Sequence, residues 1–84
     1  MRRKYNSPKT RALATFESRN WLAPPEWAIL VGFYPVRASY SYLKYLHKWR
    51  LLERTLDRRG HLLYRISSRG VNRLRWLRRS APDD

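Results

Sequence analysis

The sequence predicts a mainly α-helical fold with a small two-stranded β-hairpin, an α+β class. Three observations lead to this expectation. Prolines and polar capping residues stand just before several segments whose apolar side chains have helical spacing. Two short segments with apolar residues at every second position flank a four-residue turn that ends in glycine. A last segment with helical spacing follows this hairpin.

The chain has the size and composition of one folded domain. Its 84 residues are 43% hydrophobic and 14% aromatic, which is too rich in large apolar side chains for a disordered basic tail. We expect the domain to cover residues 8–79, between a flexible basic arm at residues 1–7 and a disordered acidic tail at residues 80–84. The absence of Cys excludes disulfides and thiolate metal sites.

The first predicted helix covers about residues 8–19. Ser7 is a suitable N-cap, and Pro8 fits the first helical position. An apolar stripe runs along the segment and is formed by Ala12, Leu13 and Phe16. The next two residues, Trp21 and Leu22, are compatible with a very short strand or with a loop.

A second, shorter helix is predicted to begin at Pro24-Pro25-Glu26, because Pro fits a first helical turn and Glu favours its positive end. Gly32 is expected to end it, and Phe33 is then placed to fold back onto the helix. The side chains predicted to pack inward are Trp27, Ala28, Leu30 and Val31.

A third helix is predicted from about Val36 to Trp49, with Pro35 marking its start. At about 100° per residue, this segment has two different sides. One side is expected to face the core and carries Val36, Ser39, Leu43, Leu46 and His47. The other side is basic and rich in hydrogen-bonding groups, and it carries Arg37, Tyr40, Ser41, Lys44 and Lys48.

The hairpin is predicted from strands at residues 51–56 and 61–66 around the turn of residues 57–60. Alternation places Leu62, Tyr64 and Ile66 on one face, and Leu63 and Arg65 on the other. Asp57 is expected to support the turn through its side chain. A last helix is expected to run to Arg79, capped by Ser67 or Ser68, with an apolar stripe of Val71, Leu74 and Leu77.

The charge balance is the strongest functional signal. Nineteen Lys and Arg residues against six Asp and Glu give a formal net charge of +13. Thirteen of these cations lie from Arg37 to Arg79, a region with only two acidic residues. Arg predominates there, and its forked donors suit phosphates and guanine edges. The pattern favours a nucleic acid as partner, against a merely soluble basic surface or attraction to anionic lipid.

Three stretches, in this order, resemble the winged helix-turn-helix family, in particular MarR-like and PadR-like bacterial regulators. They are residues 21–27 at the second helix, residues 43–54 from the third helix into the hairpin, and residues 64–70 before the last helix. Arg50 stands where that family usually has a helix-ending Gly, which predicts a strained or differently shaped exit from the third helix. Ala23 replaces the usual capping Thr or Ser, which weakens the second helix start by about 1 kcal/mol.

The resemblance implies binding of double-stranded DNA, with the third helix in the major groove and the hairpin as the wing. Arg37 is the candidate for a forked contact to guanine. Base edges or phosphates are expected to meet Tyr40 and Ser41, and the DNA backbone is expected to meet Lys44 and Lys48. The hairpin cations expected at the minor groove or at phosphates are Arg54, Arg58, Arg59 and Arg65. The competing interpretation is ordinary solvated charge on both elements.

The aromatic residues of the third helix suggest a second idea, a stacking platform for unpaired bases. Its members would be Tyr40, Tyr42, Tyr45 and Trp49. Helical spacing places Tyr42 and Trp49 on the flank of the core, so packing is the favoured role for these two, whereas Tyr40 and Tyr45 point outward. Trp76 lies off the stripe of the last helix, where it would serve self-association or cover the edge of the core.

We do not expect an enzyme, a metal site or a cofactor. His47 and His61 lie on different elements without carboxylates to orient them, and metal-ligand spacing is absent. No glycine-rich phosphate loop is present, since Gly32, Gly60 and Gly70 each have a turn or cap explanation.

The expected protein is a transcriptional regulator or accessory DNA-binding factor, as a monomer or weak homodimer, alone or in a larger nucleoprotein complex. The basic start of the chain is not followed by an apolar signal-peptide core, and no apolar run approaches the length of a membrane span, so we expect a cytoplasmic, nucleoid-associated location. Two alternatives stay open. One is an RNA-binding or ribosome-associated protein, and the other is a winged-helix module that docks an acidic protein surface.

Overall fold

The computed structural model describes residues 7–80, which form four helices and one antiparallel hairpin in the expected order. The elements are α1 (Ser7–Glu17), α2 (Pro24–Val31), α3 (Ala38–Lys48), β1 (Leu52–Leu56), β2 (Leu62–Ile66) and α4 (Ser68–Ser80). The α+β class is confirmed. Most of the expected arm and tail lies outside the described residues, and their inner ends, Ser7 and Ser80, belong to α1 and α4. None of the described helices is long and apolar enough to cross a membrane.

Trp27 of α2 lies at the centre of the core and is fully buried. Its indole Nε1 donates a hydrogen bond to the carbonyl oxygen of Ala12, 3.1 Å away, which satisfies its one polar atom and ties α2 to α1. The ring stacks on Phe16 of α1, with centroids 6.5 Å apart, and on Tyr42 of α3 at 5.7 Å. A single large aromatic side chain therefore joins the first three helices.

The end of α2 follows the expected capping pattern. Gly32 has a left-handed φ of 72°, and the backbone N–H of Phe33 donates to the carbonyl oxygen of Ala28 at 2.8 Å. The Phe33 ring folds back to within 5.1 Å of the Trp27 ring. Arg11 of α1 donates from Nη2 to the carbonyl oxygen of Val31 at 2.8 Å and so provides a second cap.

The start of α2 is capped by a carboxylate. Ala23 has no side-chain acceptor, but its backbone N–H donates to Oε1 of Glu26 at 3.0 Å, which is one half of a capping box. The inward packing of Leu30 was a wrong prediction, because its side chain is 46% exposed. The buried face of α2 is centred near Trp27 and Pro24, and Leu30 lies about 110° around the helix from that centre.

The third helix begins later than the sequence predicts. Ala38 and Ser39 donate their backbone N–H groups three residues back, to Pro35 and Val36, so a tight turn precedes the first α-helical residue. The Tyr34–Pro35 peptide bond is cis. From Ala38 onward the expected core side is correct, since Ser39, Leu43 and Leu46 are buried.

The two strands pair with Glu53 opposite Arg65 and with Arg54 opposite Tyr64. Leu22 adds an isolated bridge to the other edge of β2, because Leu22 and Tyr64 exchange two backbone hydrogen bonds of 2.8 Å each. The short-strand alternative at residues 21–22 is therefore the one that forms. Tyr64 is fully buried and anchors the hairpin to the helices.

The exit from α3 and the start of α4 meet at one backbone junction. Arg50 has a left-handed φ of 63°, so the exit from α3 is strained. Ser67 caps α4, because its Oγ accepts the backbone N–H of Gly70 at 2.9 Å and donates to the carbonyl oxygen of Arg50 at 2.6 Å. Gly70 lies inside the first turn of α4 and supplies the N–H of this cap, so of the expected turn and cap roles it has the cap role. An added Cβ there would collide with the carbonyl oxygen of Leu51.

Candidate nucleic-acid interface

One side of α3 is exposed along its whole length, and we call it the α3 face. Its side chains are the five that the sequence placed there, Arg37, Tyr40, Ser41, Lys44 and Lys48, and all five are exposed. The opposite side is anchored by Leu43 and Leu46, which have no exposed surface. Burial of these two leucines fixes the rotation of the helix, so the α3 face is held toward solvent rather than free to turn. Arg37 belongs to the turn that precedes the first helical residue.

The N-terminal half of the α3 face lies beside the loop of the hairpin. Tyr40 lines a groove of about 640 Å³ together with Pro25, Gly60 and Leu62. This places the first turns of α3 and the tip of the hairpin on a common edge of the molecule. A double helix that contacts one of them therefore has the other within reach.

The hairpin loop of residues 57–60 is fixed by Asp57 and presents two cations. Oδ1 of Asp57 accepts the backbone N–H groups of Arg59 and His61 at 2.8 and 2.9 Å, as its expected turn role requires. These bonds, with that of His61 foremost, lower the pKa of Asp57 below its ordinary value, so its carboxylate is charged at neutral pH and occupied by the turn. Arg58 and Arg59 are exposed on this loop.

A second basic groove lies where α3 ends and β1 begins, and we call it the α3–β1 groove. It measures about 560 Å³ and includes the cations Lys48, Arg50 and Arg54. His47 lies on its wall, where burial lowers the pKa of the imidazole and the nearby Arg54 guanidinium lowers it further. One carboxylate, that of Glu53, also lines this groove and is paired with Arg65, so the three cations still give the groove a net positive charge that suits an anion.

Arg65 is not brought together with the other hairpin cations. Because it pairs across the strands with Glu53, it lies on the sheet face opposite to that of Arg54 and Tyr64. Its Nε donates to Oε1 of Glu53 at 2.6 Å, and its guanidinium lies 4.6 Å from the centre of the Trp21 ring. This arginine is thus held by an ion pair and an aromatic ring, on the sheet face opposite to that of Arg54.

The acidic residues among the described ones are bound to other groups of the same chain. Residues 7–80 contain four of them, and each has a polar partner: Glu17 binds Arg78, Glu26 binds the Ala23 N–H, Glu53 binds Arg65, and Asp57 binds its own turn. Among the described residues, none of the α3 face side chains is acidic or paired with an acid. These carboxylates therefore already have partners within the protein, and the α3 face stays positive.

A third basic surface was not anticipated and lies between α3 and α4. It is a groove of about 230 Å³, which we call the α3–α4 groove, and its lining residues are Lys9, Tyr45, Trp49, Leu51, Arg69 and Arg73. Trp49 is 53% exposed here, so its predicted packing role was wrong, whereas Tyr42 does pack beside the core. Trp76 is half-exposed and lies 5.4 Å from the guanidinium of Arg73.

Among the described residues, no group of three or more His, Cys, Asp or Glu side chains is arranged to hold a metal ion. Comparison with protein families, with curated proteins and with solved structures finds no match to this chain. The chemistry of the surface itself therefore carries the functional interpretation, and that surface offers cations, hydroxyls and exposed aromatic rings.

Proposed function

We propose that this protein is a small winged helix-turn-helix protein that binds double-stranded DNA, as a transcriptional regulator or an accessory factor of the nucleoid. The observation that carries the proposal is the α3 face, a row of cations and hydroxyls without an acidic residue, next to a hairpin loop that adds two arginines. A helix fits the major groove, where all four base pairs are distinguishable.

The backbone also supports a winged-helix arrangement. The hairpin follows α3 directly, and Leu22 supplies the isolated bridge that adds a third strand position beside β2. Arg50 ends α3 in the left-handed conformation, which is the conformation expected of a helix-ending glycine in the family that the sequence resembles. With 11 residues, α3 is about 16 Å long, enough to lie across a major groove about 12 Å wide.

In this proposal, each part of the surface has its own task. Arg37 and Ser41, near the start of α3, read base edges, and Arg37 makes the forked contact to guanine. Lys44 and the α3–β1 groove bind phosphates and set the register, because phosphate contacts position a protein without reading sequence. Arg58 and Arg59 reach the flanking minor groove, whose negative potential favours arginine.

Selection of bound fragments from a random duplex library, followed by a salt titration, tests the proposal. If the surface meets about six phosphates, log K against log salt concentration has a slope of about −5. A double Arg58→Ala and Arg59→Ala variant is expected to weaken all duplexes alike and to flatten that slope by about one to two units. Affinity that does not change with salt would exclude phosphate contacts and with them this proposal.

The competitor in the same assay is an RNA duplex of matching sequence. A-form RNA has a deep, narrow major groove that side chains do not read, so insertion of α3 predicts preference for DNA. Equal or tighter binding of the RNA duplex would replace DNA by RNA as the partner.

A further inference from the structure

The α3–α4 groove joins exposed aromatic rings to cations. Trp49 and Tyr45 are 53% and 45% exposed, and their ring centroids are 6.3 Å apart in an edge-to-face arrangement. Among the described residues that line the groove, every charged side chain is positive: Lys9, Arg69 and Arg73. A face of this kind offers a flat apolar ring and a phosphate-binding site side by side.

Tyr45 is held in place by the aromatic rings beneath it, and Trp49 packs against Tyr45. Tyr45 stacks on Tyr42 with centroids 6.2 Å apart, and Tyr42 stacks on the buried Trp27 at 5.7 Å. An aromatic row therefore leads from the centre of the core to the groove. Ordering Tyr45 costs little on binding, because Tyr42 already fixes its ring.

The groove lies on the flank of α3 that is turned away from the hairpin. His47 faces Tyr64 on the hairpin side, with ring centroids 6.3 Å apart. Trp49, two residues further, is about 160–200° around the helix axis from His47. Lys48 of the α3 face lies between them around the axis, about 100° from each, so the α3 face and the groove are neighbouring sides of the helix.

We propose that the α3–α4 groove binds an unpaired nucleotide of a DNA strand that extends beyond the duplex. This proposal rests on the proposed function. The base stacks on the face of Trp49 with Tyr45 beside it, and its phosphates meet Arg69 and Arg73. Base stacking on aromatic rings tolerates any sequence, and arginines beside the rings complete a single-strand site. A second copy of the chain is a poor occupant, because each copy carries a formal charge of +13 and the groove would face like charges.

The test compares four ligands of one duplex sequence: blunt, with a short 3′ thymidine extension, with a short 5′ extension, and with an abasic extension of equal phosphate number. One extension polarity is expected to bind about 5- to 100-fold tighter than the blunt duplex, in the range of one to two stacked bases. The abasic extension is expected to lose most of that gain, because its phosphates remain but its bases do not.

Trp49→Ala is expected to remove the gain and to leave the affinity for the blunt duplex unchanged. Trp49→Phe keeps a stacking ring and is expected to retain most of the gain. Trp21→Ala is the matched control, since it removes another partly exposed tryptophan, which lies beside Arg65 and does not line the groove. Arg69→Ala with Arg73→Ala is expected to reduce the gain, and thermal melting of each variant verifies its fold.

Three outcomes would overturn the groove proposal: no gain from either thymidine extension, an equal gain from the abasic one, or a gain that survives Trp49→Ala. Failure of the proposed function looks different, because the blunt duplex then does not bind. Titration with a free single strand and with a mononucleotide completes the comparison. Binding of the mononucleotide as tight as that of the extended duplex would make a free nucleotide the occupant and overturn the strand-extension proposal.

Discussion

Arg50 links the stability of this fold to its proposed binding surface. Its φ of 63° is left-handed, and the surrounding bonds require it: the Arg50 N–H donates to His47 O at 2.8 Å, and the Leu51 N–H donates to Leu46 O at 3.0 Å. A non-glycine residue in this conformation costs about 1–2 kcal/mol. Glycine avoids that cost, but it lowers the free energy of unfolding by about 0.4–1 kcal/mol, because the unfolded chain has greater conformational freedom at a glycine.

Arg50→Gly is therefore expected to raise the free energy of unfolding by about 0.5–1 kcal/mol. For a domain of this size, that corresponds to a rise in melting temperature of about 2–8 °C. The same change removes one of three cations from the α3–β1 groove. We expect weaker duplex binding and a salt slope flatter by about one unit, as for the loss of one phosphate contact.

Two further variants separate backbone conformation from charge. Arg50→Asn removes the charge and keeps a residue that enters the left-handed region readily, so binding falls and stability changes little or rises slightly. Arg50→Ala removes the charge and keeps the strain, so binding falls without any gain in stability. Melting followed by circular dichroism and salt-dependent fluorescence anisotropy measure the two effects. A lower melting temperature for Arg50→Gly would refute the strain argument, and an unchanged salt slope would refute the phosphate contact.

Three other variants test separate parts of the structure. Arg37→Ala is expected to weaken binding to the preferred site by about 1–3 kcal/mol and to relax selectivity at one base pair, while the protein stays folded. Leu43→Ala is expected to lower the free energy of unfolding by about 2–5 kcal/mol. If Arg37→Ala binds the preferred site as tightly as the wild type, α3 does not read the base sequence. Gly70→Ala is expected to destabilise by about 1–3 kcal/mol, because its Cβ meets Leu51 O, and urea denaturation measures this. Asp57 has a lowered pKa in the folded state, so its stabilising effect is present above its ordinary pKa of 3.8 and is lost as the pH falls through the folded value. The stability difference between wild type and Asp57→Asn should therefore shrink in acid, and a difference that is constant down to pH 2 would contradict the turn role.

Local signals in the sequence were sufficient for most of the fold. Each helix end that the sequence predicted well has a local chemical cause, such as the left-handed Gly32 or the Ser67 cap, and such causes act within a few residues. The start of α3 was missed because Pro35 is compatible both with a helix and with the tight turn that precedes it. Leu30 and Trp49 were predicted to pack inward but are exposed. The spacing of apolar residues along a helix does not show how much of the helix surface its neighbours cover.

The candidate interface was predictable in part. The α3 face follows from helical spacing alone. The separation of Arg65 from the other hairpin cations also follows from strand alternation, because Arg65 shares its face with Leu63 and not with Tyr64. The α3–α4 groove was not predictable, since it needs the packing of α4 against α1 to bring Arg69 and Lys9 together. Lys9 and Arg69 are 60 positions apart in the sequence, and no local pattern indicates that they are neighbours in the fold.

The large excess of positive charge that remains after the acidic residues are paired predicts opposite effects of salt on stability and on binding. The Arg78–Glu17 and Arg65–Glu53 pairs are exposed, so each contributes little to stability. Within residues 7–80, the other Lys and Arg side chains are not in an ion pair with an acidic residue. Added sodium chloride shortens the range of that repulsion from about 10 Å at 0.1 M to about 3 Å at 1 M. The free protein should therefore melt at a higher temperature as salt increases, whereas its affinity for duplex DNA falls. Melting curves and binding titrations over one salt series measure both trends. A free protein that becomes less stable with salt would show that the two ion pairs outweigh the repulsion, and the positive surface would then need no polyanion to relieve it.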